Sequence, residues 1–148
     1  MARYLQREMC MKKILRLFAV MSAILLYFSA GALEKGDGYD VFVPIGKYIA
    51  QGDVDCLSAW FAGNLEVSIL SNQNNSSRNQ AKQILKAFYE QYPPRQFTIS
   101  HQCSRATMKN AVGELYAGGE KFMVTIFVIF SKKANSYKIQ QLKIERIQ

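Results

Sequence analysis

The second half of the chain contains four segments with the character of strands and no helix between them, and this order restricts the fold most. The segments span residues 97–103, 111–117, 122–130 and 137–144, and glycine or asparagine turns separate the later ones. Short apolar segments joined by tight turns are typical of strands that pair with their sequence neighbours. The sequence therefore predicts an antiparallel sheet built mainly from this half.

Alternation along these strands predicts which side chains share a face. Phe97, Ile99, His101 and Cys103 are two residues apart, so a regular strand places all four on one face. Residues 122–130 are apolar at nearly every position, which indicates a central strand that is covered on both sides.

The last strand changes phase part of the way along its length. Tyr137 and Ile139 occupy odd positions, whereas Leu142 and Ile144 occupy even ones. A β-bulge absorbs such a change because it allows two residues of one strand to oppose one residue of its partner. We therefore expect a bulge near residues 140–141.

Residues 44–92 contain helical patterns and one strand. Pro44 begins a helix that Gly52 ends, and Asp53 caps a second helix whose apolar face reaches Trp60 and Phe61. A strand follows at residues 65–69, then a loop at 71–76 and a helix at 77–92. Helices on one face of a curved antiparallel sheet make an α+β domain, in the order helix, helix, strand, helix and four strands.

Residues 1–32 have the three parts of a secretory signal peptide. Lys12 and Lys13 precede an uncharged apolar run at residues 17–28, and small residues follow at 29–32. We place cleavage after Ala32 and expect export to the periplasm or secretion. The run is shorter than the roughly 20 apolar residues of a membrane-spanning helix, so we expect no stable membrane anchor after cleavage.

Half of the formal net charge belongs to the predicted signal segment. Residues 1–32 contain five basic residues and one acidic residue, which is +4 of the formal net charge of +8, so the remaining 116 residues carry +4. A nucleic-acid-binding domain needs basic residues clustered on one face, and here they are scattered. We therefore expect no nucleic-acid partner, a flexible tether at 33–43 and a single domain at 44–148.

Two cysteines and a single histidine remain in the mature chain. Export makes a disulfide between Cys56 and Cys103 chemically feasible, whereas two buried free thiols are the simpler expectation. These residues are too few for a structural zinc site. We therefore expect neither a metal nor a cofactor.

The order of the elements resembles the nuclear transport factor two-like superfamily, in which a bent sheet wraps a long helix like a cone. The local residues resemble an uncharacterised branch of small exported bacterial proteins. The matching residues run from Gly52 to Glu145. They are Gly52-Asp53, Leu57-Ser58, Phe61, Gln80-Ala81, Leu85, Phe88-Tyr89, His101-Gln102, Gly113-Glu114-Leu115 and Tyr137 to Glu145.

The resemblance implies where an acid–base pair would lie. Enzymes of the superfamily hold such a pair inside the cone, often an aspartate with a histidine or a tyrosine. The candidates in this chain are His101 and Glu114, although Glu114 shares a face with Val112 and Tyr116 and is expected to point outwards. A general base needs shielding that brings its pKa towards the working pH.

The resemblance also implies a small apolar pocket at the open end of the cone. The candidate lining residues are Trp60, Phe88, His101, Tyr116 and Phe127.

Three hypotheses about function follow. The first is a non-catalytic exported domain that binds a small apolar ligand or a protein. The second is an enzyme of the isomerase or dehydratase type that uses His101 with a carboxylate such as Glu114. The third is an interaction module that forms a homodimer through its sheet, which requires an apolar outer face on residues 122–130. A filled cone interior argues against both the enzyme and the small-ligand form of the first hypothesis.

Overall fold

A computed structural model describes residues 40–148 of the chain. The predicted signal peptide and residues 33–39 of the predicted tether lie outside the described residues. Val41 and Phe42 are buried in the domain, so it begins slightly before the predicted boundary at Pro44. No helix within residues 40–148 has the length and apolar character needed to cross a membrane.

Three helices and six strands make up the described part of the chain. The helices are α1 (Phe42–Gln51), α2 (Val54–Ser58) and α3 (Arg78–Gln91). The strands are β1 (Phe61–Ile69), β2 (Asn72–Ser77), β3 (Pro94–Arg105), β4 (Met108–Ala117), β5 (Glu120–Ser131) and β6 (Ser136–Arg146).

The six strands form one curved, open sheet in the order β2-β1-β6-β5-β4-β3. Every neighbouring pair is antiparallel except β1 and β6, which run parallel. The last four strands follow the chain order, as the tight turns predict. Helix α3 and the later strands form the long connection between β1 and β6, which a parallel pair requires.

Strand β2 is the element that the sequence pattern does not reveal. Its residues are all polar, and polar stretches of this kind are usually loops. The preceding residues Leu70 and Ser71 both adopt positive φ, which is the geometry of the two-residue hairpin turn that matches the twist of the sheet. Residues 72–77 therefore fold back onto β1 as a strand.

Local capping interactions set the helix boundaries as predicted. The side chain of Asp53 accepts a hydrogen bond from the Cys56 backbone N–H at 3.1 Å. At the start of α3, the Ser77 hydroxyl accepts from the Gln80 backbone N–H, and the Gln80 side chain accepts in return from the Ser77 N–H. Helix α2 ends earlier than predicted, because Phe61 already belongs to β1.

The core lies between the helices and the inner face of the sheet. Helix α3 places Leu85 and Phe88 against this face, and the rings of Phe88 and Phe122 meet edge-to-face at 5.2 Å. Alternate residues of β5 are fully buried on the inner face, namely Phe122, Val124, Ile126 and Val128. The other side chains of β5 lie on the outer face, away from the helices.

Two bulges set the phase of the strands. Phe127 pairs with Gln141 and Val128 with Ile139, so Gln140 is the extra residue, which confirms the predicted bulge in β6. In β3, Ile99 pairs with Gly113 and His101 with Val112, so Ser100 is a second extra residue. That bulge was not predicted, and it moves every later side chain of β3 to the opposite face.

An ion pair joins α2 to α3. The Asp55 carboxylate lies 2.8 Å from the Lys82 ammonium and 3.2 Å from that of Lys86. The hydrogen bond from Lys82 holds the pKa of Asp55 below its usual value, against the opposing effect of partial burial, and Lys86 adds to this lowering.

Gly113 provides a test of the packing between β3 and β4. A methyl group at this position would lie 2.6 Å from both the Phe97 ring and the Thr98 carbonyl oxygen. We expect Gly113→Ala to lower the free energy of unfolding by about 1–3 kcal/mol in denaturant titrations, because the backbone must shift. Gly63→Ala is the matched control, since no atom lies within 4 Å of its added carbon. Equal losses in both variants would contradict this account.

The ion pair of Asp55 predicts a pH dependence. Because the folded-state pKa lies below the unfolded one, the stabilisation is present above about pH 4 and is lost as pH falls through the folded pKa. We expect Asp55→Asn to be less stable than wild type in urea at pH 7, and this difference to shrink at pH 3. The effect is modest because the carboxylate is partly exposed. The control Glu90→Gln alters an exposed carboxylate of α3, and a difference for Asp55→Asn that grows towards acid would contradict the expectation.

Candidate functional site

The bulge at Ser100 places the predicted acid–base candidates on the outer face of the sheet. His101 pairs with Val112, which lies between the buried residues Ala111 and Gly113 and therefore points outwards. Glu114 also points outwards, as its own pattern predicts, and both His101 and Glu114 are exposed. His101 therefore does not share the inner face with Phe97 and Ile99, and that expectation was wrong.

The placement of His101 and Glu114 offers no shielded cavity for acid–base chemistry. They are diagonal neighbours on β3 and β4, and both side chains contact solvent. A general base of this kind acts well when its surroundings exclude water and shift its pKa towards the working pH. The two residues do share a face, but they do not line the interior of the cone.

The five residues predicted to line a pocket are separated by the sheet. Phe88 lies on the inner side, where its ring packs 5.2 Å from those of both Tyr92 and Phe122. Trp60 is partly buried against the same core. His101, Tyr116 and Phe127 lie on the outer face. The five side chains therefore do not converge on one site.

Large apolar side chains pack between α3 and the inner face of the sheet, where a pocket inside the cone would lie. Leu85, Leu115, Phe122 and Ile126 are fully buried in the described part of the molecule. The Tyr89 hydroxyl donates a hydrogen bond to the Ile49 carbonyl at 3.3 Å, which joins α3 to α1. Burial raises the pKa of this phenol, so it stays protonated and acts as a structural donor.

The outer face instead carries apolar side chains that alternate with polar ones, and we call these apolar side chains the outer-face patch. It consists of Met108, Val112 and Tyr116 on β4 and of Met123, Phe127 and Ile129 on β5. Within residues 40–148, it includes three of the five large apolar side chains that are exposed: Met108 at 41 %, Tyr116 at 44 % and Met123 at 39 %. Exposed apolar side chains gathered on one surface are typical of a binding site.

Charged side chains border the patch. The Lys143 ammonium lies 2.8 Å from the Glu145 carboxylate on β6, and the Lys121 ammonium lies 5.4 Å from the centre of the Tyr116 ring. On β3, His101 lies beside Val112 and Thr98 lies beside Glu114, on the same outer face. The face therefore mixes apolar and charged side chains, as protein–protein interfaces do.

A shallow depression of about 240 Å³ lies at one end of the patch, between Cys103, Met108 and Phe127. Cys103 is a free, exposed thiol there, so the disulfide between Cys56 and Cys103 is not formed. The bulge at Ser100 places Cys103 on the outer face, whereas Cys56 is buried on α2. The expectation that Cys103 is buried was therefore wrong.

No group of three or more metal-ligating side chains occurs in the part of the chain that the structure describes. The sequence reveals the outer-face patch only in part. Residues 122–130 are apolar on both faces, which indicates a second covered surface, but the contribution of β4 becomes clear only from the register.

Solved structures with this fold come from several bacteria. A crystal structure from Bacteroides uniformis, described as a DUF4783 family protein, has a TM-score of 0.69 and 19 % identity, covering 74 % of this chain and 99 % of that one. The corresponding protein from Bacteroides fragilis has a TM-score of 0.68 and 20 % identity, covering 73 % of this chain and all of that one. A search of curated proteins found no significant match.

The fold extends beyond these proteins. An NTF-2 like protein of unknown function from Silicibacter pomeroyi has a TM-score of 0.55 and 15 % identity, covering 72 % of this chain and 89 % of that one. At these identities the likeness shows the nuclear transport factor two-like fold alone, which confirms the architecture inferred from the order of elements. A family model described as a domain of unknown function, DUF4783, matches residues 42–145. The chain therefore belongs to the DUF4783 family.

Proposed function

We propose that this domain is a non-catalytic protein-binding module that acts after export and pairs through the outer-face patch, with a second copy of itself as the partner. The observation that carries the proposal is the exposure of three large apolar side chains, Met108, Tyr116 and Met123, on the same face of the sheet. A monomer in water gains nothing from keeping these side chains exposed, whereas burial between two sheets is favourable by roughly 25 cal/mol for each Å².

The geometry of the sheet suits pairing with an identical surface. The outer-face patch lies on β4 and β5, which are interior strands, so a second sheet can pack face to face without competing for backbone hydrogen bonds. The rim offers both signs of charge in Lys143 and Glu145. A two-fold axis placed between Lys143 and Glu145 brings Lys143 of one copy towards Glu145 of the other.

The filled interior argues against the alternatives. An enzyme of the isomerase or dehydratase type needs its acid–base pair in an enclosed site, and His101 and Glu114 face water. A small apolar ligand needs an internal pocket, and the side chains of α3 occupy that space. Binding of a protein is the form of the first hypothesis that remains.

A charge introduced at Met123 of the patch tests the association. We expect the wild-type protein to form dimers in sedimentation equilibrium and Met123→Glu to weaken dimerisation by about tenfold or more, because the new carboxylate would have to be desolvated. The control is Val43→Glu, which makes the same kind of change at an exposed apolar residue of α1 and should leave the dimer intact. A wild-type monomer at all concentrations, or equal effects of both substitutions, would refute the proposal.

Export is tested by the mass of the protein that leaves the cytoplasm. In a Gram-negative host, we expect the periplasmic or secreted protein to begin at Leu33, because signal peptidase reads small residues at Ala30 and Ala32. Leu25→Arg breaks the apolar run and should retain the uncleaved chain in the cell, whereas the control Leu5→Arg, outside the run, should not. Recovery of only full-length wild-type protein in the cytoplasm would contradict export.

A further inference from the structure

The two edges of the sheet differ in how they are protected from pairing with another chain. Edge strand β3 begins at Pro94, carries Arg95 and Arg105, and contains two register shifts. Proline, charge and bulges are the devices by which proteins block strand addition. Edge strand β2 has none of these devices, because all six of its residues are uncharged and its register with β1 is regular.

The turn before β2 determines which of its backbone groups are unpaired. Ile69 and Asn72 flank the two-residue turn, and such a pair exchanges both backbone hydrogen bonds. Hydrogen-bonded and non-hydrogen-bonded pairs then alternate, so Gln73 and Asn75 direct their N–H and C=O groups away from β1. Among residues 40–148, no strand pairs with this edge.

A groove of about 470 Å³ lies beside this edge, between β2 and helix α3. Its lining is uncharged throughout, and it consists of Asn74, Asn75, Ser76, Asn79, Gln80, Gln83 and Ile84. The helix residues fall three and four positions apart, so they form one face of α3 alongside the strand. Ile84 is partly buried against the core and supplies an apolar contact.

We propose that this edge binds an extended peptide as a seventh strand, with the peptide lying between β2 and α3. The peptide backbone exchanges hydrogen bonds with Gln73 and Asn75, and alternate peptide side chains enter the groove. Binding by strand addition takes its affinity from main-chain hydrogen bonds and its selectivity from the surface under alternate side chains.

The lining of the groove determines the chemistry of the peptide. Asn79 and Gln83 offer amide donors and acceptors, but the groove provides no opposite charge to compensate a buried ion. Short neutral side chains therefore suit the positions that face α3. The site is separate from the outer-face patch, which lies on β4 and β5, so the two surfaces are tested independently.

The binding experiment uses a capped heptapeptide of alternating serine and valine, titrated into isotopically labelled protein and followed by backbone chemical shifts. We expect shifts centred on residues 72–84. A second peptide has the same side chains but an N-methyl group on every internal amide, and we expect it to bind about tenfold more weakly because neither of its edges retains the pairing N–H donors.

Two variants locate the site on the protein. Asn75→Pro removes an outward N–H without touching the ladder to β1 and should abolish binding. Gln83→Arg introduces a charge into the groove and should also abolish it, whereas the matched control Gln91→Arg makes the same change near the end of α3, outside the groove. If Asn75→Pro lowers the midpoint of thermal unfolding, its loss of binding reflects a loss of structure. The Gln83→Arg variant then provides the test of the site.

Three results would overturn the proposal. The first is the absence of shifts at residues 72–84, and the second is equal binding of the N-methylated peptide. The third is association of two copies through β2, seen as a dimer that Asn75→Pro disrupts and Met123→Glu leaves intact. A dimer that Met123→Glu disrupts and Asn75→Pro leaves intact forms through the outer-face patch. Each proposal can therefore fail without the other.

Discussion

The packing of α3 against the inner face of the sheet is the contact on which the rest of the structure depends. Leu85 and Phe88 fill the concave side, and Phe122 meets them from β5. Because side chains alternate along a strand, the burial of Phe122, Val124 and Ile126 sends Met123 and Phe127 to the outer face. The same contact therefore fills the inner face of the sheet and places apolar side chains on the outer face.

The two bulges decide which chemistry each face presents. In β6, the extra residue Gln140 allows Ile139 and Leu142 to share the inner face. In β3, the extra residue Ser100 has the opposite consequence, since it moves His101 and Cys103 from the inner face to the outer one. Without this inserted residue, His101 would point into the cone, whereas with it His101 faces water. The acid–base hypothesis required His101 to lie on the inner face. A disulfide between Cys103 and Cys56 likewise required Cys103 to lie there.

The elements with strong local signals could be predicted, and those fixed by pairing could not. Asp53, Ser77 and Gln80 act within one helical turn, so their caps were evident from spacing. The bulge at Gln140 was evident because apolar residues flank it on both sides. Beyond Ser100 the strand is mostly polar, so no apolar pattern reports the change of phase. The polar strand β2 resembles a loop for the same reason, and pairing with β1 defines it.

We propose two binding surfaces on this basis, one on the face of the sheet and one at its edge, and the surface on the face is the central claim. Oxidative footprinting of Met108 and Met123 at increasing protein concentration tests that claim most directly. Both side chains are exposed in a single copy, so they should oxidise readily in dilute solution. If the outer-face patch is buried between two copies, their oxidation falls as the dimer forms. Oxidation that stays constant while the protein concentration rises would contradict the account.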